Sequence, residues 1–396
     1  MRILFIHTRY KQSAGGEDTT VDAESKLLSE KGHEVKVVIF DNGEMGKGIM
    51  GKVEAGINAI YNRESAKQIR GEIRGFKPDL VHVHNFFFTA SPSVLIAAHS
   101  LGIPLVVTIQ NFRLICANCL LLRDNKVCEL CVPHRVPWFD VWYKCYHDSA
   151  VQSAVVGATA AIHKLLNTWT RKVDQYITPA HFIRTRLIDS SLKLPGGKIS
   201  VKRNFIRDPG YSGGESRESY YLFIGRLSVE KGVDVLLKTW SSGIREKVLI
   251  AGSGPEEARL KNTYGHLTNV EFLGQRNREE ILFLLKKCRA LVFPSIWYEG
   301  LPLTIVEAMA TATPAIASAL GAMKEMIKDG YNGLLFEPGN PTELSAAVER
   351  MNTFTTEGNQ SMYDNARREY VENYHPEKCY LDVMDIYMKA IQKTQT

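Results

Sequence analysis

One pattern constrains this chain more than any other, and it occurs twice. Short apolar runs are each followed by a segment of helical periodicity. In the first half the runs are Ile3–Ile6, Val35–Phe40, Leu80–Val83, Leu105–Ile109 and Gln175–Ile177. In the second they are Tyr221–Ile224, Val248–Ala251, Val270–Leu273, Ala290–Phe293 and Ala315–Ala317. A strand that is apolar along its whole length must be covered on both faces, and helices between successive strands supply that cover. The pattern predicts two doubly wound, parallel α/β domains. Arg207–Ser219 (RDPGYSGGESRES) is dense in Gly, Pro, Ser and charge, and reads as the linker. The expected division is 1–206, 207–375 and a final helix, 376–396, that crosses back to the first domain. In such sheets ligands bind beyond the carboxyl ends of the strands, so two facing domains predict a central cleft.

Composition removes several alternatives. With 396 residues, 44% hydrophobic and 23% charged, the chain has the make-up of an ordinary two-domain globular protein, not of a disordered, collagenous or coiled-coil one. A net charge of +6 suits anionic small molecules or an anionic membrane surface and is too weak to argue for nucleic acid. No stretch approaches the ~20 apolar residues of a membrane span. The opening MRILFIHTRY lacks a signal-peptide core, so a cytoplasmic location is expected, with peripheral attachment at the inner face of the membrane open. In that setting the seven cysteines are expected as thiols or metal ligands. The absence of a G-x-G-x-x-G after the first strand argues against a dinucleotide-dependent oxidoreductase.

The motifs lie in the loops. In Glu299-Gly-Leu-Pro-Leu-Thr-Ile-Val-Glu307, Pro302 and Leu303 fit a helix start, which puts Gly300 and Leu301 at an anion-binding N-terminus. On helical spacing the two glutamates would stand about two turns apart on one side. In Gly225-Arg226-Leu-Ser-Val-Glu-Lys231-Gly, directly after a strand, Arg226 and Lys231 could neutralise a diphosphate while Gly225 lets backbone approach. Gly252-Ser-Gly254-Pro is a weaker turn signal. Taken singly, each also fits an ordinary surface loop.

Taken together, GRLSVEKG, AGSGP, VEFLGQ, FPSIWYEGLPLTIVEAMATATPAIAS and DGYNGLLFEPGN, in that order, resemble the retaining nucleotide-sugar glycosyltransferases of family 4, which have the GT-B fold. The first half is similar through Gly15-Gly16, KPDLVHVHN and VVTIQNFRLIC. The resemblance implies roles. Arg226 and Lys231 would bind the donor diphosphate, and Glu299 the donor sugar. The backbone at Gly300 and Leu301 would contact both, and Glu307 would take the ribose hydroxyls. Leu273-Gly274-Gln275 would cradle the base. Gly15 and Gly16 would approach the phosphates and acceptor, with His84, Asn85 and Asn204 on the acceptor side. Gln110 departs from the pattern: the family often has His there, contacting the sugar, and Gln can only donate and accept hydrogen bonds. His82 and His84 alternate along a strand end and are expected to face opposite ways, one of them structural. The family needs no enzymic nucleophile and no catalytic metal.

Cys116-x2-Cys119-x8-Cys128-x2-Cys131, followed by Cys145, has the look of a zinc knuckle on a hairpin, with four of the five as structural ligands. Free thiols or a disulfide are the alternatives. The Cys-rich insert, 111–146, also holds apolar runs, LLL and PWFDVWY, that either pack locally or face a lipid acceptor. The expected activity is transfer of a sugar from a nucleotide-diphosphate donor, UDP ahead of GDP, to a glycan or polyprenyl-linked acceptor in cell-surface polysaccharide synthesis. A GT-B sugar epimerase or hydrolase and a zinc-stabilised binding module are the competing readings.

Overall fold

The computed structural model describes residues 1–9, 16–42, 48–211, 217–354 and 356–395, so part of the expected linker lies outside the described residues. The chain forms two compact units. The first comprises Met1–Leu121, Cys128–Asn204 and Cys379–Thr396, and the second Leu122–Val127 and Phe205–Lys378.

The first unit is built on β1 (Arg2–Arg9), β2 (Glu34–Asp41), β3 (Leu80–Val83), β4 (Leu105–Thr108), β7 (Gln175–Thr178) and β8 (Ile199–Val201). Their order is β2-β1-β3-β4-β7-β8, with every pair parallel. Inside the Cys-rich insert, β5 (Leu122–Arg123) and β6 (Lys126–Val127) form an antiparallel hairpin. Its turn residues, Asp124 and Asn125, both have positive φ (51° and 57°), the conformation a two-residue hairpin turn favours and Asp and Asn tolerate.

The second unit repeats the plan with β9 (Tyr220–Ile224), β10 (Lys247–Ala251), β11 (Val270–Gly274), β12 (Ala290–Phe293), β13 (Ala315–Ser318) and β14 (Gly333–Phe336), in the order β11-β10-β9-β12-β13-β14. All ten expected strands form. The two that apolar runs did not reveal, β8 and β14, are edge strands of three and four residues. Along β9 the side chains divide as the pleat requires. Tyr220 and Leu222 enter one core with Leu291, Ile305 and Met309, and Tyr221 and Phe223 enter the other with Leu236, Trp240 and Val348. Arg217 closes the rear of this unit. Its guanidinium donates to the carbonyls of Thr311 and Ala312 (both 2.9 Å) and Leu285 (2.8 Å), just past the helix Leu303–Ala310. A cation there satisfies carbonyls that the helix leaves free.

The last helix, Pro376–Gln395, lends its apolar stripe to the first unit. Val383, Ile386, Tyr387 and Ala390 pack with Ile3 and Phe5 of β1, Leu80 of β3, Val106 of β4 and Ile177 of β7. A polar relay crosses this contact: the Tyr387 hydroxyl pairs with His82 Nδ1 at 2.7 Å, and His82 Nε2 pairs with Thr108 Oγ1 at 2.7 Å. All three residues are buried. Tyr387→Phe therefore removes the partner of a buried imidazole nitrogen and should cost about 1–3 kcal/mol in urea unfolding of the first unit. A change below about 0.5 kcal/mol, the range of an ordinary surface substitution, would show that the relay contributes nothing.

Candidate active site

Three loops at the carboxyl ends of β9, β10 and β12 are bound together through backbone. Leu227 N–H donates to the Ser253 carbonyl, Glu256 N–H donates back to the Leu227 carbonyl (both 2.9 Å), and Ile296 N–H reaches the Glu230 carbonyl at 3.0 Å. Three glycines permit this approach: a Cβ on Gly254 would stand 2.4 Å from the Leu227 carbonyl oxygen. A Cβ on Gly252 (φ +144°) would stand 1.9 Å from the Gly225 carbonyl oxygen, and one on Gly232 (φ +68°) would stand 1.9 Å from that of Pro294. Sequence reading had singled out Gly225, where a Cβ would only press the Phe223 ring at 3.3 Å. The signal for Gly232 was its place between a lysine and the helix Val233–Ser241.

Within this frame Lys231 and Glu299 meet. Glu299 is 6% exposed, and its Oε1 accepts from Lys231 Nζ (2.7 Å), Ser295 Oγ (2.6 Å) and Trp297 Nε1 (2.9 Å). Lys231 also lies over the rings of Trp297 (5.4 Å) and Phe293 (5.8 Å). Arg226 is exposed to solvent. Gly300 and Leu301 lead into the helix Leu303–Ala310, which carries no acidic residue in its first turn, leaving its free N–H groups open to an anion. The spacing argument for the two glutamates needs correction: only Glu307 is on the helix. Glu299 lies in the preceding loop, and Lys231, Ser295 and Trp297 position it. Glu307 stands 3.9 Å from Arg278, and burial raises its carboxyl above the usual range while Arg278 lowers it. At the end of β11, the carbonyl of Gly274 (φ +70°) accepts from Gly252 N–H at 2.8 Å; Leu273 is half-buried and Gln275 exposed.

The first unit gathers polar groups at the carboxyl edge of its own sheet. Gly15 lies outside the described residues, and Gly16 begins the helix Gly16–Glu30. Gln110 follows β4, and its Oε1 accepts from Asn204 Nδ2 at 3.1 Å. Among the described residues, buried polar atoms lacking a hydrogen-bond partner include both ring nitrogens of His84, Nε2 of Gln110, the hydroxyls of Thr8 and Thr178, His7 Nδ1 and Glu24 Oε1. Such atoms are rare in folded proteins and call for a ligand or water. Asn85 is differently employed: its amide donates to the Thr8 carbonyl (3.0 Å) and accepts from Phe87 N–H (3.1 Å), so it shapes the loop.

The expectation that His82 and His84 face opposite ways fails. The spacing itself explains this: residues two apart along a strand share a face, and the two rings lie 4.1 Å apart at 33°. His82 is the structural one, and burial drives both imidazoles well below their usual pKa. Sequence reading also missed two buried pairs: His7 Nε2 with Asp18 Oδ1 at 2.6 Å, and Lys202 with Glu24. Glu17, the first charged residue of the helix, accepts from Asn111 Nδ2 at 2.6 Å, and burial raises its carboxyl.

The cysteines are occupied locally. Cys116 donates to Asn118 Oδ1 (2.9 Å), Cys131 donates to Asp140 Oδ1 (3.2 Å), and Arg113 donates to the Cys119 sulfur (3.3 Å). Cys128 and Cys145 are half-buried thiols. Cys116, Cys131 and Asp140 line one cavity of about 10 Å³. Among the described residues, the metal-competent side chains whose ligand atoms all lie within 4.8 Å of one another are instead Glu24, His82 and His84. A cation suits that trio poorly: Lys202 already neutralises Glu24, and Tyr387 and Thr108 take both nitrogens of His82.

Comparison with known proteins agrees with this architecture. Residues 14–208 match the family described as Glycosyltransferase Family 4, and residues 210–369 match Glycosyl transferases group 1. The chain belongs to the group 1/family 4 glycosyltransferases and has the GT-B fold. It is 30% identical over 55% of its length to an uncharacterized glycosyltransferase of Methanocaldococcus jannaschii, covering 60% of that protein. It is 29% identical over 44% of its length to O-antigen chain mannosyltransferase C of Escherichia coli, covering 48% of that protein. The chain thus spans about half the length of these two relatives. Anabaena HepE in complex with UDP is similar in structure, with a TM-score of 0.67, 16% identity and coverage of 97% of this chain and 99% of that one.

The raised carboxyl of Glu307 makes a signed prediction. A carboxyl with a raised folded-state pKa favours folding below its unfolded value and loses that contribution as pH rises through the folded value. At pH 7 the ionised Glu307 therefore costs stability. Glu307→Gln should raise the Tm at pH 7, with the gain shrinking toward pH 4, while nucleotide affinity falls. A Tm lower than wild type at pH 7 would show that Arg278 outweighs burial.

Proposed function

We propose that this glycosyltransferase moves a sugar from a nucleoside-diphosphate donor to a hydroxyl of a glycan or lipid-linked glycan, with retention of configuration, in the synthesis of cell-surface polysaccharide. The observation that carries the reading is the fixed set of Lys231, Glu299 and the helix N-terminus after Gly300-Leu301, with the Arg226 cation in the same β9 loop as Lys231. Cations and free N–H groups suit a diphosphate. A carboxylate with its orientation already set by three donors suits the hydroxyls of a pyranose.

In the reaction the bond from the anomeric carbon to the phosphate oxygen breaks, and a bond from that carbon to the acceptor oxygen forms on the same face. The acceptor's proton passes to the departing phosphate, so no protein nucleophile is required. Charge grows on the diphosphate as the bond breaks, and Arg226, Lys231 and the helix N–H groups are the groups that stabilise it. Glu299 holds the sugar and Glu307 the ribose. In the first unit, His84 and Gln110 offer neutral hydrogen-bonding groups to an uncharged hydroxylated acceptor. The name of the Escherichia coli relative supports a glycan product, and the UDP in the Anabaena structure makes UDP-sugars the first donors to test, ahead of GDP-sugars.

Thermal-shift screening of UDP-, GDP- and ADP-sugars, followed by transfer assays, tests the reading. The absence of any stabilising nucleotide sugar would count against it. With the active donor, Arg226→Ala and Lys231→Ala should each lower kcat/KM by about 10- to 150-fold, the loss of a charge-assisted contact of ~1.5–3 kcal/mol, with the fold intact. Near-normal turnover in both would remove the diphosphate assignment.

A structural zinc in the insert is proposed separately, supported by Cys116, Cys131 and Asp140 lining one small cavity. Protein purified without chelator should then carry about one zinc per chain, the stoichiometry of a closed structural site. Elemental analysis that finds none ends this proposal.

A further inference from the structure

The short helix Trp138–Trp142 in the first unit keeps most of its aromatic surface outside the core. Trp142 is 75% exposed, Trp138 51%, Val136 58% and Tyr143 43%, whereas Trp169 and Trp240 are each 1% exposed. The exposed rings form one continuous face. Trp138 stacks on Phe139 with centroids 3.7 Å apart, and Phe139 meets Tyr143 at 6.4 Å and His134 at 5.3 Å. Trp138 and Trp142, four residues apart on a helix, project on one side.

The other side of this helix is held firmly. Asp140 is 2% exposed and accepts from the Cys131 thiol. Pro137 lies so close to Gly157, in the helix Ala150–Leu165, that a Cβ there would stand 3.2 Å from its ring. The face is thus carried on a rigid base. Its charge is one-sided: between Val132 and His147 the only acidic residue is the buried Asp140, while Arg135 and Lys144 are both exposed.

We propose that this face docks onto an anionic lipid bilayer surface. Trp and Tyr rings prefer the water–hydrocarbon boundary, where an apolar ring body and a polar edge are both satisfied, and Arg and Lys at the two ends of the segment meet anionic headgroups. Five residues cannot cross a bilayer, and no helix among the described residues is long and apolar enough to do so. Attachment through this face is therefore interfacial, reversible and weakened by salt. The proposal does not depend on which sugar is transferred.

The test uses the full chain. It is sedimented with vesicles of phosphatidylglycerol and phosphatidylcholine, and with phosphatidylcholine alone, at low and high salt. Brominated lipids then quench tryptophan emission. Of the five tryptophans, Trp169 and Trp240 are buried, so quenching reports chiefly on Trp138 and Trp142. Binding to the anionic vesicles is expected, with quenching and a fall at high salt. It should weaken roughly tenfold or more in Trp138→Ser/Trp142→Ser and in Arg135→Glu/Lys144→Glu, with Tm and circular dichroism unchanged. The charge variants lie outside the helix and keep the test decisive if the tryptophan variant fails to fold. No binding at low salt, or binding that neither variant alters, overturns the proposal. So does a dimer that depends on Trp138 and Trp142 without vesicle binding, since a second copy would then own this face.

Discussion

The ion pair between Lys231 and Glu299 is the contact around which the loops at the carboxyl edge of the second sheet are organised. Burying two charges is expensive unless the geometry is good and further hydrogen bonds complete it. Here the second condition is met by Ser295 and Trp297, which donate to the same carboxylate oxygen as Lys231. The pair joins the β9 loop to the β12 loop, and the β12 loop leads directly into the helix Leu303–Ala310. The cation, the carboxylate and the helix N-terminus are therefore placed as one body. That body exists because Gly232, Gly252 and Gly254 let carbonyl oxygens come closer than any side chain would allow.

The first unit solves a different problem. Its interior contains several buried polar contacts: the Lys202–Glu24 pair, the His7–Asp18 pair, and the His82 relay to Tyr387 and Thr108. Most of these groups satisfy one another. Among the described residues, the buried atoms left over include those of His84, Gln110, Thr8 and Thr178, toward the carboxyl ends of neighbouring strands, and also His7 Nδ1 and Glu24 Oε1, so the pairs themselves are incompletely satisfied.

The insert combines two local arrangements. Its cysteines bond to Asn118, Asp140 and Arg113, and the hairpin turn at Asp124–Asn125 is self-sufficient. Asp140 also anchors the helix whose outer side carries Trp138 and Trp142. One buried carboxylate thus links the thiol cluster to the exposed aromatic face, which neither the cysteine spacing nor the PWFDVWY run discloses.

The amino-acid sequence by itself determined the fold class and the ten principal strands, and it marked the loops that carry Lys231 and Glu299. Apolar continuity and the Gly, Pro and charged residues of loops are local signals, and the two sheets follow from them directly. The edge strands β8 and β14 were not among the runs read, although central strands of four residues were. Tertiary structure alone decided which atoms meet. Helical spacing put Glu299 and Glu307 on one surface, but Glu299 is aimed by Lys231, a residue 68 positions away. The meeting of His82 and His84 is the exception: residues two apart along a strand share a face, so their proximity is legible in the spacing. His7 and Asp18 gave no motif at all, because a buried pair is specified by the packing of a strand against a helix and not by spacing along the chain. Periodicity carries information over one element; contacts between elements depend on how their ends are held, and here backbone hydrogen bonds and three glycines hold them.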